Sequence, residues 1–343
     1  PKMTTPRPPG LRRRIRLRSA CFLVSLVFLA PAGWTQELSV LLGRTSFLTG
    51  AHGHDSFQLE LRYPLAPSFA WSASYLNEGS PAGHLRDGLA VQTWGRVNML
   101  GGRLSLAAAG GLYRYFDTVR GAGRETFNLH GWAGIYTLSG TYYLPATAFV
   151  KLTASRVNAA GGDDANTFTL GVGWRLIEAV EAGLSQERVP VERWRQALAR
   201  LEVTPFAGRS ALNTLAAPSS AARGVELRYT VARHLEGTVS WLDEGTDSIA
   251  RRRGVNGQVW LVDTFLAGRF TCGMGVGAYA LRERLTSPPD AGDHDELVGL
   301  VSLTTAWRIA PPLRARLNWS RVSTHNNRDS DVFVFGLGLR LPG

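Results

Sequence analysis

The chain has 343 residues, 44% of them hydrophobic and 19% charged, with a formal net charge of +11. Seven of the 38 Lys and Arg, and no acid, fall in residues 1–32, so the remainder sets 31 basic against 27 acidic residues, a net of +4. That near-balance leaves no electrostatic footprint for nucleic acid, and Cys272, the only cysteine beyond residue 32, rules out an intrachain disulfide there.

Residues 11–18 read LRRRIRLR, residues 19–30 read SACFLVSLVFLA, and Ala30-Pro31-Ala32 follows. Basic, apolar and small residues in that order predict a secretory signal peptide over 1–32, cleaved after Ala32. The apolar run falls short of the roughly twenty residues a transmembrane helix needs.

Beyond the leader the signal is strand after strand. In Phe57 to Tyr63 the apolar Phe57, Leu59, Leu61 and Tyr63 alternate with Gln58, Glu60 and Arg62. A period of two puts the apolar set on one face and the polar set on the other. Such runs predict eight strands near 38–47, 56–63, 69–76, 89–98, 103–116, 126–143, 148–157 and 167–176. Connections after even strands are tight (Pro64–Ser68, Leu100–Gly102, Pro145–Thr147). Those after odd strands are longer and more polar (Leu48–Asp55, Asn77–Asp87, Asp117–Arg124, Asn158–Asn166).

The same pattern then repeats. ELRYPLAPSFAWSASYLNEG (60–79) and ELRYTVARHLEGTVSWLDEG (226–245) share nine of twenty positions at an offset of 166. Residues 150–176 and 315–341 share ten of 27 at an offset of 165. Chance would give roughly 6–8%. The chain is a duplication, with repeats over 33–176 and 203–343 and a linker over 177–202. In the linker Pro190 is predicted to start a helix placing Val191, Trp194, Leu198 and Leu201 on one face.

Sixteen strands with turns at one end and loops at the other predict an all-β, transmembrane, antiparallel up-and-down barrel of the bacterial outer membrane, with the linker in the periplasm. Phe69, Trp71, Tyr75, Tyr63, Trp174 and Trp241 lie toward strand ends, where interfacial aromatic girdles belong. The expectation is one sixteen-stranded barrel; the alternative is two tandem eight-stranded barrels. The wider form implies a channel, in which Glu60, Arg62, Lys151, Arg175, Glu226, Arg228 and Arg340 line the lumen, together with Arg156 and Arg321. Such a channel could export a polar polymer such as an exopolysaccharide. A closed barrel with a structural or adhesive role is a further reading.

Three other groups of residues carry chemistry. Asn77-Glu78-Gly79 with His84, Arg86 and Asp87 is echoed by Asp243-Glu244-Gly245 and Arg251 to Arg253. These are predicted as extracellular loops, with Glu78, His84, Arg86, Asp87, Glu244 and Arg252 able to meet a sugar or a lipopolysaccharide phosphate. Each glycine is predicted to hold a turn position with positive φ. The His52-Gly-His54 pair has no third ligand, and no metal or cofactor is expected. The last hairpin carries Ser323 and His325. A barrel with a His and a nearby Ser on one of its last strands resembles the lipid A 3-O-deacylases. The resemblance implies a base at His325 and a nucleophile at Ser323, although that family has Ser two residues after its His, where this chain has Asn327. Expected partners are outer-membrane lipid and lipopolysaccharide, the barrel-assembly machinery, and polysaccharide or periplasmic secretion components, with no nucleic acid.

Overall fold

The computed structural model describes residues 36–342 apart from 49–52, 81–83, 121–125, 146, 160–162, 177–197, 214–217, 233, 248–249, 267, 286–292 and 326–327. The signal peptide, His52 and nearly all of the linker helix lie outside the described residues. Leu201 and Glu202, assigned to the linker from sequence, instead open a strand.

The first repeat contributes β1 (Gln36–Phe47), β2 (His54–Ala66), β3 (Phe69–Asn77), β4 (His84–Met99), β5 (Leu104–Arg120), β6 (Thr126–Tyr143), β7 (Ala148–Ala159) and β8 (Ala165–Leu176). The second contributes β9 (Leu201–Leu212), β10 (Ser219–Ala232), β11 (Leu235–Thr246), β12 (Ala250–Phe265), β13 (Phe270–Leu285), β14 (Asp293–Ala310), β15 (Leu313–Ser323) and β16 (Ser330–Arg340). Every neighbouring pair is antiparallel. Each repeat closes on itself, β1 against β8 from Gln36↔Leu176 to Phe47↔Ala165, and β16 against β9 from Ser330↔Leu212 to Arg340↔Glu202. The sixteen strands are therefore two eight-stranded barrels and not one ring. Closure within each repeat leaves neither barrel with an unpaired edge.

The polarity is inside out. Outward residues such as Leu42 (66% exposed), Leu138 (65%) and Phe335 (54%) are apolar, whereas Gln58, Glu60, Arg62 and Thr153 point inward and are buried. A water-soluble barrel would reverse this arrangement. No helix among the described residues is long and apolar enough to cross a membrane. The strands instead satisfy their backbone groups around each ring, the condition a bilayer imposes.

The two barrels touch along their outer walls. At the turn end, Leu61, Tyr63, Trp71 and Ala73 cluster with Phe265, and Leu261, Phe270, Cys272 and Met274 pack against them. Tyr63 and Trp71 stack with ring centroids 4.6 Å apart, and Tyr63 also meets Asp263. At the loop end, Tyr75 packs edge-on against Trp319 at 5.1 Å. There Arg321 donates to Asp87 at 3.0 Å. Turn end meets turn end and loop end meets loop end, so one bilayer can hold both barrels. Tyr63 and Trp71 are thus in this seam and not in a lipid-facing girdle, while Phe69, Trp174 and Trp241 remain exposed.

Candidate functional site

The duplicated residues converge inside the barrels, at two levels. The lower level, toward the turns, is built on β2. Alternation turns Gln58, Glu60 and Arg62 inward, where Lys151 of β7 and Trp94 of β4 meet them. Glu60 accepts from Lys151 Nζ at 2.5 Å and from Arg62 Nε at 3.1 Å. Arg62 lies over the Trp94 ring at 3.8 Å, and the Trp94 Nε1 donates to Ser72 at 2.8 Å. Cations over an aromatic face gain from its quadrupole when water is excluded.

The second barrel repeats this level. Arg228 donates to Glu226 at 2.9 Å and to Glu236 at 2.8 Å, and lies over Trp260 at 4.5 Å. Trp260 donates to Thr238 at 2.9 Å, matching the Trp94 contact. Arg316 stands where Lys151 does in the first repeat and donates to Glu202 at 2.8 Å. Of the predicted lumen residues, Glu60, Arg62, Lys151, Glu226 and Arg228 are buried inside, while Arg175 and Arg340 are half-buried in the inward rows near the turn end. Arg156 and Arg321 are corrections. Strand parity turns both outward, Arg156 to Asp164 at 3.0 Å and Arg321 into the seam.

The upper level closes the loop end, and it corrects the extracellular-loop assignment. His84, Arg86 and Asp87 belong to β4, and Arg252 to β12. Glu78 and Arg86 are fully buried, with Arg86 donating to Glu78 at 2.5 and 2.9 Å. Tyr113 donates to the same carboxylate at 3.0 Å, and Arg86 lies over Phe47 at 4.4 Å. In the second barrel Glu244 accepts from Ser210 at 2.9 Å and Ser330 at 2.7 Å. Arg252 lies 3.8 Å from both Glu244 and Glu283. The barrel wall rises past these residues, so polar side chains that resemble a solvated loop in sequence are enclosed by strands.

The glycines behave as read. Gly79 and Gly245 have φ of 88° and 83°, and each donates its N–H to the residue two before it, Asn77 or Asp243, at 3.0 Å. A Cβ at Gly79 would approach the Asp55 carbonyl to 2.4 Å, and one at Gly245 the Ala221 carbonyl to 2.4 Å.

Ser323 and His325 do not assemble. Ser323 ends β15 on its outer side, and His325 lies beyond the strand, exposed, with its Nδ1 against Glu296. No hydrogen bond joins the two, so the shared strand face expected for a base and its nucleophile is absent. Among the described residues no cluster of His, Cys, Asp or Glu could hold a metal. Sequence reading missed Trp94, Trp260, Glu37, Glu202 and Arg316 as interior partners. The repeat offset already paired Trp94 with Trp260 and Glu37 with Glu202, and would have exposed them.

No family model matches the chain, and no curated protein matches it in sequence. Among solved structures, the N-terminal β-barrel domain of Pseudomonas aeruginosa OprF is 13% identical, covering 40% of this chain and 96% of that one, with a TM-score of 0.34. Neisserial surface protein A is 10% identical over 42% of this chain and 97% of its own, with a TM-score of 0.34. The Yersinia pestis attachment invasion locus protein Ail is 13% identical over 41% and 96%, with a TM-score of 0.31. The assignment of two barrels rests on the strand register above.

Proposed function

We propose that this chain is an integral protein of the bacterial outer membrane. In this reading it acts through the surfaces it presents, as a structural or adhesive double barrel, and not as a channel or an enzyme. Support comes first from the inverted polarity of both barrels. The observation that carries the rest is the pair of enclosed ion clusters in each interior, Glu60–Arg62–Lys151 below Glu78–Arg86 in the first. Small barrels fill with side chains. A polymer-export path needs a hydrated lumen, and here Glu60, Arg62, Lys151, Glu226 and Arg228, expected to wall one, are held in buried ion pairs.

Two measurements test the reading. The folded protein is expected to fractionate with outer membranes and to migrate faster on a cold detergent gel than after boiling. Recovery as a freely soluble protein would overturn the membrane assignment. In planar bilayers the folded protein is expected to leave the baseline conductance unchanged. Steady open-channel steps, altered in selectivity by Arg62→Glu with Arg228→Glu, would restore the channel.

A further inference from the structure

We infer that the outer wall of the second barrel carries a binding site for a phosphorylated lipid, formed by four arginines at the loop ends of β12 and β13 above an apolar groove. The inference rests on the membrane reading above and adds a ligand class and named residues to it.

The site follows from register. Arg252 points inward and is 2% exposed, so alternation turns Arg251 and Arg253 outward, and both are exposed. On the next strand Glu283 points inward, which puts Arg282 and Arg284 on the outer wall, also exposed. The pairing sets Arg253 directly opposite Arg282, and Arg251 directly opposite Arg284. Like charges directly opposite each other are destabilising in a sheet. A carboxylate offsets part of this: Arg282 forks onto Asp295 at 3.1 and 3.2 Å, and Arg284 is engaged as well. Asp243, across from Arg253, is engaged by Arg223 at 3.3 Å. Among the described residues, Arg251 and Arg253 have no carboxylate partner. The quartet is short of negative charge, and a dianion is the species that would bridge it. Guanidinium forks match phosphate oxygens in spacing and plane.

What lies beneath the arginines identifies the rest of the ligand. Arg253 and Arg282 form the upper rim of a groove of about 560 Å³ that continues over Trp241, Val255, Ala280 and Leu297; the two acids in its lining are already engaged, Asp295 by Arg282 and Glu296 by His325. Leu297 is 69% exposed and Val255 49%. β12 runs from its loop end downward, so Arg253 sits at headgroup height and Val255 two residues deeper, where acyl chains begin. Cations above an apolar strip on a bilayer-facing wall fit an amphiphile whose phosphate is at the interface.

Among the described residues the first barrel has no such site. By the same register its equivalents are Asp87 opposite Phe116 and Leu85 opposite Thr118. Two of them face the second barrel: Asp87 binds Arg321, which lies over Phe116 at 5.4 Å. The arginine quartet is therefore not a copied framework feature.

The test uses the folded chain in neutral detergent, with lipids counted by native mass spectrometry. The probes are a bisphosphorylated lipid A, the same lipid with its phosphates removed, and inorganic phosphate alone. The wild type is expected to hold the phosphorylated lipid roughly tenfold more tightly than the dephosphorylated one, and Arg251→Gln with Arg253→Gln to lose roughly that factor. Asp295→Asn, which frees Arg282 without removing a cation, is expected to tighten binding severalfold, so the inference remains testable if the double variant folds poorly. Arg209→Gln, exposed on the outer wall of β9 away from the site, serves as a control for the loss of a surface arginine and is expected to change nothing. Equal binding of both lipids, an unaffected double variant, or an equal loss in Arg209→Gln would overturn the site. Inorganic phosphate binding as tightly as the lipid would overturn the role of the groove. Each sample is first checked for the cold-gel mobility shift. A chain that never shows that shift refutes the membrane reading, whereas a folded chain that ignores phosphate refutes this site alone.

Discussion

Replacing Glu60 by Gln removes one charge from an enclosed cluster of the first barrel, and its cost can be worked from the geometry. The two cations that Glu60 holds, at 2.5 Å (Lys151 Nζ) and 3.1 Å (Arg62 Nε), share one carboxylate oxygen, and all three side chains are at most 2% exposed. Arg62 keeps a second acid, Glu37, at 3.9 Å, but Lys151 has no other carboxylate at ion-pair distance among the described residues. A unit pair at about 4 Å interacts by about 4 kcal/mol at an effective dielectric of 20. Breaking one side of a buried pair typically costs about 3–5 kcal/mol. Glu60→Gln is therefore expected to destabilise the fold by about 3–5 kcal/mol. Lys151→Met alone leaves Glu60 on Arg62 and is expected to cost less than about 2 kcal/mol, because a hydrophobic side chain replaces a desolvated ion. Adding Lys151→Met to Glu60→Gln should recover roughly half of the loss. Urea titration of the fast-migrating folded gel band, in one detergent, gives all three values. A Glu60→Gln protein within about 1 kcal/mol of wild type would mean that water reaches Lys151. That would refute the filled interior and reopen the channel.

The seam makes a separate prediction. Asp87→Asn should weaken the link between barrels by about 1–2 kcal/mol, less than a full buried pair because Arg321 also binds Asp331 at 2.7 Å. In a double-mutant cycle Asp87→Asn and Arg321→Gln should therefore be non-additive, and strict additivity would sever the link. Gly79→Ala and Gly245→Ala should each cost at least about 1 kcal/mol by the same titration, since both force a Cβ into positive φ against a carbonyl oxygen. A neutral result at either position would mean that the turn rearranges freely. For topology, cysteines at Thr246 and at Leu100 should label oppositely in intact cells, Thr246→Cys from outside and Leu100→Cys only after the outer membrane is opened. The reverse labelling would invert the orientation.

Much of the fold was legible because alternation in a barrel wall is strict. Phe168, Leu170, Val172 and Trp174 form an outward row, and β6 begins and ends where its alternation does. Strand ends at the loop side were harder. β4 starts at His84 and β5 runs to Arg120, several residues beyond the sequence reading, because the rim of a barrel is polar on both faces and period two loses its contrast. Closure was not legible at all. Alternation specifies which face a residue takes, not which strand a first strand meets, and both β1–β8 and β1–β16 closure satisfy the same pattern. The seam was hidden for a related reason. Tyr63 and Trp71 point outward whether the neighbour is lipid or a second barrel, and only the contact distinguishes them.

The two repeats share most of the charged and aromatic residues of their interiors and differ at particular places on their outer walls, and those places locate the divergence in role. Inside, Glu60, Arg62, Trp94, Glu78, Arg86 and Tyr113 recur as Glu226, Arg228, Trp260, Glu244, Arg252 and Tyr279. Each set holds one barrel shut, and a copied interior needs no new partner. On the outer wall the pairing Asp87↔Phe116 has become Arg253↔Arg282. A bare charge on a lipid-facing wall costs about 2–4 kcal/mol near the midplane and less toward the interface, so each outward charge needs either a partner or a place at the headgroups. Asp87 is 4% exposed and has the partner, Arg321 of the other barrel. On β12, Arg251 and Arg253 are exposed and have no carboxylate partner among the described residues; they lie at the loop end, the height at which lipid phosphate would complete them. Duplication thus supplied two equivalent closed cylinders, and the differences between their outer walls let one surface join the barrels while another remained free to take a ligand from the membrane.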